Sequence, residues 1–164
     1  MAQSKHRPVI YKQAGKIVIP CNLRIVTQTD SEDGTEQTFY DYQEITLDQA
    51  NAPDLNGVKE VIAKQLESEL REYIYNEYDA GIQQTISALA FKASRLGRDD
   101  IVGEYEAIFG WIQQVLDYYD RLLQGIRSMA TADDAMDVNW DFEANVPKSA
   151  DLKGWREIKA SLER

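Results

Sequence analysis

The chain has 164 residues, and its 18 Lys+Arg against 28 Asp+Glu give a formal charge of −10, which disfavours nucleic acid or an anionic membrane as the main partner. A single cysteine, Cys21, excludes an intrachain disulfide and every multi-cysteine metal site, and a single histidine, His6, removes most histidine-based hydrolytic and metal chemistry. With 43% hydrophobic and 28% charged residues the composition is globular, and the length suits one domain, or one small domain with an extension, able to bury a real core.

The opening residues, Met1 to Gln13, hold no apolar run of signal-peptide length, being interrupted by Lys5, His6, Arg7 and Pro8. No stretch reaches the roughly 18 apolar residues needed to span a bilayer. Three zones are then expected: a β segment over 1–53, a helical hairpin over 54–130, and an acidic loop with a short helix over 131–164. In the first zone, Lys16-Ile17-Val18-Ile19 is a β-branched run that Pro20 should end. Leu23, Ile25 and Thr27 alternate with Arg24, Val26 and Gln28, as in a half-buried strand. After the polar loop Asp30–Gln37, the residues Phe39, Tyr40, Tyr42, Ile45 and Leu47 make a second, aromatic strand. Residues 22–29 and 38–47 therefore read as an antiparallel hairpin, with 8–19 able to add a strand. So few strands need something packed on one face.

Pro53 closes the next loop, and Asp54 or Asn56 can accept hydrogen bonds from the first free amides of a helix. Val58, Ile62, Leu66, Leu70, Ile74, Tyr78, Ile82 and Ile86 recur every fourth residue, a spacing that drifts about 40° per step on an α-helix. A kink near Asp79-Ala80-Gly81 would correct that drift. From Ile82 the spacing through 86, 89, 93 and 96 alternates four and three, as in a heptad. Gly97 suits the left-handed residue after a helix, and Asp99 suits the cap of the next. That next helix carries Ile101, Tyr105, Ile108, Ile112, Val115, Tyr119, Leu122, Ile126 and Met129 at unbroken 4-3 spacing. Val102, Phe109, Leu116 and Leu123 form a further apolar column, and Trp111 and Tyr118 add aromatics on the other flank. The short connection at 97–99 makes the two helices antiparallel, pairing Leu96 with Ile101, Leu89 with Ile108 and Ile82 with Val115. A two-helix seam needs two apolar columns of seven. The wider face here calls for a third partner, either the β segment or a second copy of the chain, and the copy is expected to supply at least part of it.

Thr131 to Ser149 reads as an acidic loop with apolar points at Met136, Val138, Trp140, Phe142 and Val146. A short helix should follow, capped by Ser149 or Asp151, with Leu152, Trp155, Ile158 and Leu162 on one face. The fold class expected is α+β, mainly α: an N-terminal β-hairpin, a long coiled-coil-like antiparallel helical hairpin, and a short C-terminal helix.

Chemical signals are sparse. His6 lies in a polar segment away from any nucleophile, and Cys21 reads as a small buried or half-buried strand residue. Asp137-x-Asn139-x-Asp141 begins like a calcium loop, but Phe142 stands where the turn needs glycine and Lys148 where the closing Glu belongs. One histidine outside the helices is incompatible with a di-iron bundle, and Glu67, Glu69, Glu72 and Glu77 are accounted for by a solvated helix face. No cofactor, metal or catalytic residue is assigned. Tyr73, Tyr75, Tyr78, Tyr105, Trp111, Tyr118 and Tyr119 could line a ligand groove, but aromatics at helical spacing are more often core or subunit interface.

The segment Thr85-Ile86-Ser87-Ala88-Leu89 through Trp111-Ile112-Gln113-Gln114-Val115-Leu116-Asp117-Tyr118-Tyr119 resembles small phage and prophage tail-region proteins, in which two helices follow a short β segment. The closing Leu152-Lys153-Gly154-Trp155-Arg156-Glu157-Ile158-Lys159 is similar to the ends of tail-fibre-associated chains. The resemblance implies a structural or assembly role, as a baseplate or fibre component in a virion or in the host cytoplasm. The expected interface is Tyr105, Ile108, Phe109, Trp111, Ile112, Val115, Leu116, Tyr119, Leu122, Leu123 and Ile126, joining a homo-oligomer (dimer or trimer) that also meets other phage structural proteins. An alternative is an acidic cytoplasmic binding module, an assembly chaperone or inhibitor of a basic partner.

Overall fold

The computed structural model describes residues 1–29, 34–149 and 155–163, with the backbone alone described at 155 and 156. Four strands and six helices follow one another among the described residues: β1 (Ala2–Ser4), β2 (Tyr11–Gln13), β3 (Lys16–Thr29), β4 (Glu36–Leu47), α1 (Leu55–Glu77), α2 (Ala80–Arg95), α3 (Asp99–Ser128), α4 (Ala132–Met136), α5 (Phe142–Asn145) and α6 (Trp155–Leu162). Two compact units form. The first comprises Met1–Glu67 with Arg121–Trp140, and the second Ser68–Asp120 with Asp141–Arg164. They cut across the three segments read from sequence, because α1 and α3 each contribute to both.

The first unit holds an antiparallel sheet in the order β1-β4-β3-β2. This corrects the expected single hairpin. β1 has three residues, too short for an alternation of side chains to announce it, and β2, equally short, falls within the 8–19 stretch read as able to add a strand. β2 and β3 meet through Ala14 and Gly15, both at positive φ (49° and 80°), the two-residue turn whose twist matches that of the strands it joins. Pro20 does not end a strand. β3 runs through it, pairing Pro20 with Glu44, and beyond Val18 no strand among the described residues flanks the β2 side, so a proline is tolerated there.

A bulge between Cys21 and Arg24 shifts the register of β3 against β4. On one side of it Ile17 to Leu23 are all buried, and Cys21 is fully so; on the other, Ile25 is 68% exposed. The bulge carries Asn22, 2% exposed and at φ 51°. Its Oδ1 accepts hydrogen bonds from the Trp140 N–H at 2.9 Å and from Asn139 Nδ2 at 2.9 Å, while Arg24 donates to the Trp140 carbonyl at 3.0 Å. Arg7 makes a second tie, reaching Asp133 at 2.9 Å and Asp137 at 2.8 Å, and α4 packs on β3. Val58, Ile62 and Leu66 of α1 are buried at every fourth residue, each contributing roughly 1.5–3 kcal/mol.

The expected coiled-coil-like hairpin is corrected too. The helical region is three helices, because Asp79 ends one and caps the next: its carboxylate accepts from the Ile82 N–H at 2.8 Å. The drifting stripe Leu70, Ile74 reaches Tyr78 and stops there. Asp54 caps α1 through the Gly57 N–H at 2.9 Å, and Gly97 adopts φ 66° after α2. Asp99 already lies within the first turn of α3, so Arg98 precedes the helix and grips Asp100 with two 2.9 Å bonds.

In the second unit Ile86 and Ala93 of α2, Ile101, Tyr105 and Ile108 of α3, and Ile158 and Leu162 of α6 form one buried cluster. The apolar column of α3 is therefore covered in part by α6. The stretch read as an acidic loop is also corrected. Thr131 caps α4 and Asp141 caps α5, and Met136, Trp140, Phe142 and Val146 are buried with Val138 half-buried. Ile158 and Leu162 are buried as their spacing predicts, whereas Asp151, Leu152 and the Trp155 side chain lie outside the described residues.

Candidate interaction surface

The aromatic side chains of the second unit divide into a closed set and an open set. Tyr73 sits 5.7 Å from Trp111 and stacks on Phe142 at 5.3 Å, Tyr78 meets Trp111 edge-on at 5.7 Å, and Tyr118 meets Phe142 edge-on at 5.5 Å. Trp111 Nε1 donates to the Pro147 carbonyl at 2.8 Å, and the Asp141 N–H donates to the Tyr118 hydroxyl at 3.3 Å. Residues 141–147 are thereby fixed against α1 and α3, and the rings bury large area while the Trp111 indole N–H and the Tyr118 hydroxyl find partners. Burial raises the Tyr73 and Tyr105 hydroxyls above the ordinary phenol range, with Glu143 adding to the effect at Tyr73 and Glu104 at Tyr105. Tyr105 Oη is buried with no hydrogen-bond partner among the described residues.

Of the residues expected to join copies of the chain, Tyr105, Ile108, Trp111, Val115 and Ile126 are buried within the chain itself. Their area is already withdrawn from water, so in this conformation they are core. Ile112, Leu116, Tyr119, Leu122 and Leu123 are half-buried. Phe109 stands out at 42% exposed.

Phe109 belongs to the open set with Tyr75 (53%) and Phe91 (68%), and the aliphatic Leu96 is also exposed (58%). Tyr75 and Phe109 line an open groove of about 430 Å³ with Ala80, Gln83, Gln84 and Ser87. No charged side chain among the described residues lines it. Along α2 the residues Ala80, Gln84, Ser87 and Phe91 continue in one stripe to Arg95, whose guanidinium lies 5.9 Å from the Phe91 ring. Along α3 the stripe through Phe109 is Val102, Glu106, Phe109, Gln113 and Leu116.

Charge is sorted between these two helices. From Ala80 to Arg98 there is no acidic residue, but there are Lys92, Arg95 and Arg98. From Asp99 to Asp120 there is no basic residue, but there are six acids. Arg98 is engaged by Asp100, whose carboxyl the guanidinium holds down at about 2. Among the described residues Lys92, Arg95 and Glu106 are in no ion pair. Phe91 escapes sequence reasoning because it falls outside the apolar spacing of its helix, and that same displacement is the signal that could have found it.

Elsewhere, no group of three or more His, Cys, Asp or Glu among the described residues is placed to hold a metal ion. No helix among them is long and apolar enough to cross a membrane. No protein-family model matches the chain, and no curated protein or solved structure does.

Proposed function

We propose that this chain is a non-enzymatic structural or assembly protein that acts through protein–protein contacts, associating with copies of itself and docking a neighbouring component. The observation that supports this reading is the exposed aromatic set around the uncharged groove, Tyr75, Phe91 and Phe109, on the helices of the second unit. Large aromatic side chains held in water and grouped on one face are the kind of surface that protein partners cover. The setting, a phage tail, rests only on the resemblance of residues 85–119 and 152–159.

The test is the mass of the purified protein by light scattering at low and at high salt. A stable homo-oligomer that persists at high salt is the expected result. A monomer under both conditions overturns the self-association, and one that captures a basic partner in a salt-sensitive way replaces this reading with that of an acidic binding module.

A further inference from the structure

We propose that the α2–α3 face is an isologous dimer interface, in which a twofold axis along the groove lays α2 of each copy on α3 of the other. The proposal rests on the reading that the chain self-associates, and it names the surface and the partner.

The two helices are joined by the turn at 96–98 and share a buried cluster, so they run side by side in opposite directions. A twofold axis parallel to them, along the groove, exchanges their positions while keeping each residue at its own height. The stripe of α2 then meets the stripe of α3 in the register that the hairpin itself sets. Ser87 comes opposite Phe109, Gln84 opposite Gln113, Ala80 opposite Leu116, and Phe91 and Arg95 opposite Glu106 and Val102. Small residues face large ones, so that Phe109 of each copy enters the space beside Ser87 and Gln84 of the other, which is the groove. The two glutamines can pair amide to amide.

Charge decides between this arrangement and the other way of placing face on face. An axis across the helices would set α2 on α2 and α3 on α3, so that Lys92 and Arg95 would face a helix with no acid and Glu106 would face an α3 whose residues 99–120 hold no base. The axis along the groove instead places α2, which has no acid, against residues 99–120 of α3, which have no base. It gives Lys92 and Arg95 a counter-charge in the other copy's Glu106. None of the three is in an ion pair among the described residues of one chain. A self-complementary face of this kind closes after two copies, so the assembly stops at a dimer.

The experiment is sedimentation equilibrium on the full chain, with far-UV circular dichroism to verify folding. The wild type should be a dimer. Phe109→Asp, at a position already 42% exposed, should remain folded and weaken dimerisation about tenfold or more. Two charge-reversed chains give the stronger readout: Lys92→Glu with Arg95→Glu in one, and Glu106→Arg in the other. Each alone should dimerise poorly, and mixing them should restore a dimer containing one copy of each, because each mismatched helix then meets its opposite. All the reversed positions are exposed, so folding is expected to be retained. A wild-type trimer overturns the proposal, as does a dimer indifferent to these substitutions, and in both cases self-association still stands. A wild-type monomer overturns both.

Discussion

Replacing Asn22 with alanine probes the bulge that interrupts β3. Two effects add. The Trp140 N–H loses its acceptor while Trp140 is 1% exposed, and an unsatisfied buried donor costs about 1–3 kcal/mol. Asn139, being exposed, can turn its amide to water at little cost. Alanine must also adopt φ near 51°, which costs it about 1 kcal/mol more than it costs glycine, or asparagine with its locally bonding side chain. The expected loss for Asn22→Ala is therefore about 2–4 kcal/mol. Asn22→Gly loses the same acceptor without the Cβ penalty, so it should be the milder change by about 0.5–1 kcal/mol. Urea denaturation followed by tryptophan fluorescence reports the effect, since Trp140 is held by this contact. If Asn22→Ala costs under about 0.5 kcal/mol, or if glycine proves worse than alanine, the assignment of both the hydrogen bond and the left-handed backbone fails.

At the β2–β3 turn, Ala14→Asn or Ala14→Gly should stabilise the protein by about 0.5–1 kcal/mol in the same denaturation assay, because φ 49° suits either residue better than alanine; a loss of stability would refute the turn. The Asp100 carboxyl should titrate at about 2 by NMR and return to the ordinary carboxylate range in Arg98→Ala. Its depressed value means that the pair stabilises the fold above the unfolded pKa of about 4, and that this contribution is lost as pH falls through about 2. An unshifted titration in the wild type would show that the pair at the start of α3 does not form in solution.

The helices were legible where local chemistry and spacing agree. Asp54 before the stripe of α1, the break at Asp79, and Gly97 between α2 and α3 each announce themselves through a cap or a left-handed residue. The sheet was legible only in its long strands. Ala14-Gly15 is a tight turn without the usual asparagine, and the bulge at Asn22 is fixed by a partner more than a hundred residues away, which no window of sequence contains. The same holds for the candidate surface. The heptad of α3 marks its apolar columns, but periodicity cannot tell a column covered by its own chain from one left for another. Trp111 is core because Pro147 and Tyr73 come to it. Phe109 is surface because nothing comparable does.

The bond between Asn22 and Trp140 spans 118 positions of sequence. During synthesis the strands leave the ribosome first, and β3 and β4 can pair at once. The kink in β3, however, keeps its polar side chain in water until residues 139 and 140 are made and brought back to it. Completion of the sheet therefore waits on the helices that follow it, a long-range closure of the sort that slows folding. For that interval the nascent β segment exposes Ile17 to Leu23 along with the bulge, and a chaperone that shields apolar strands would meet it then, before α4 takes its place on β3.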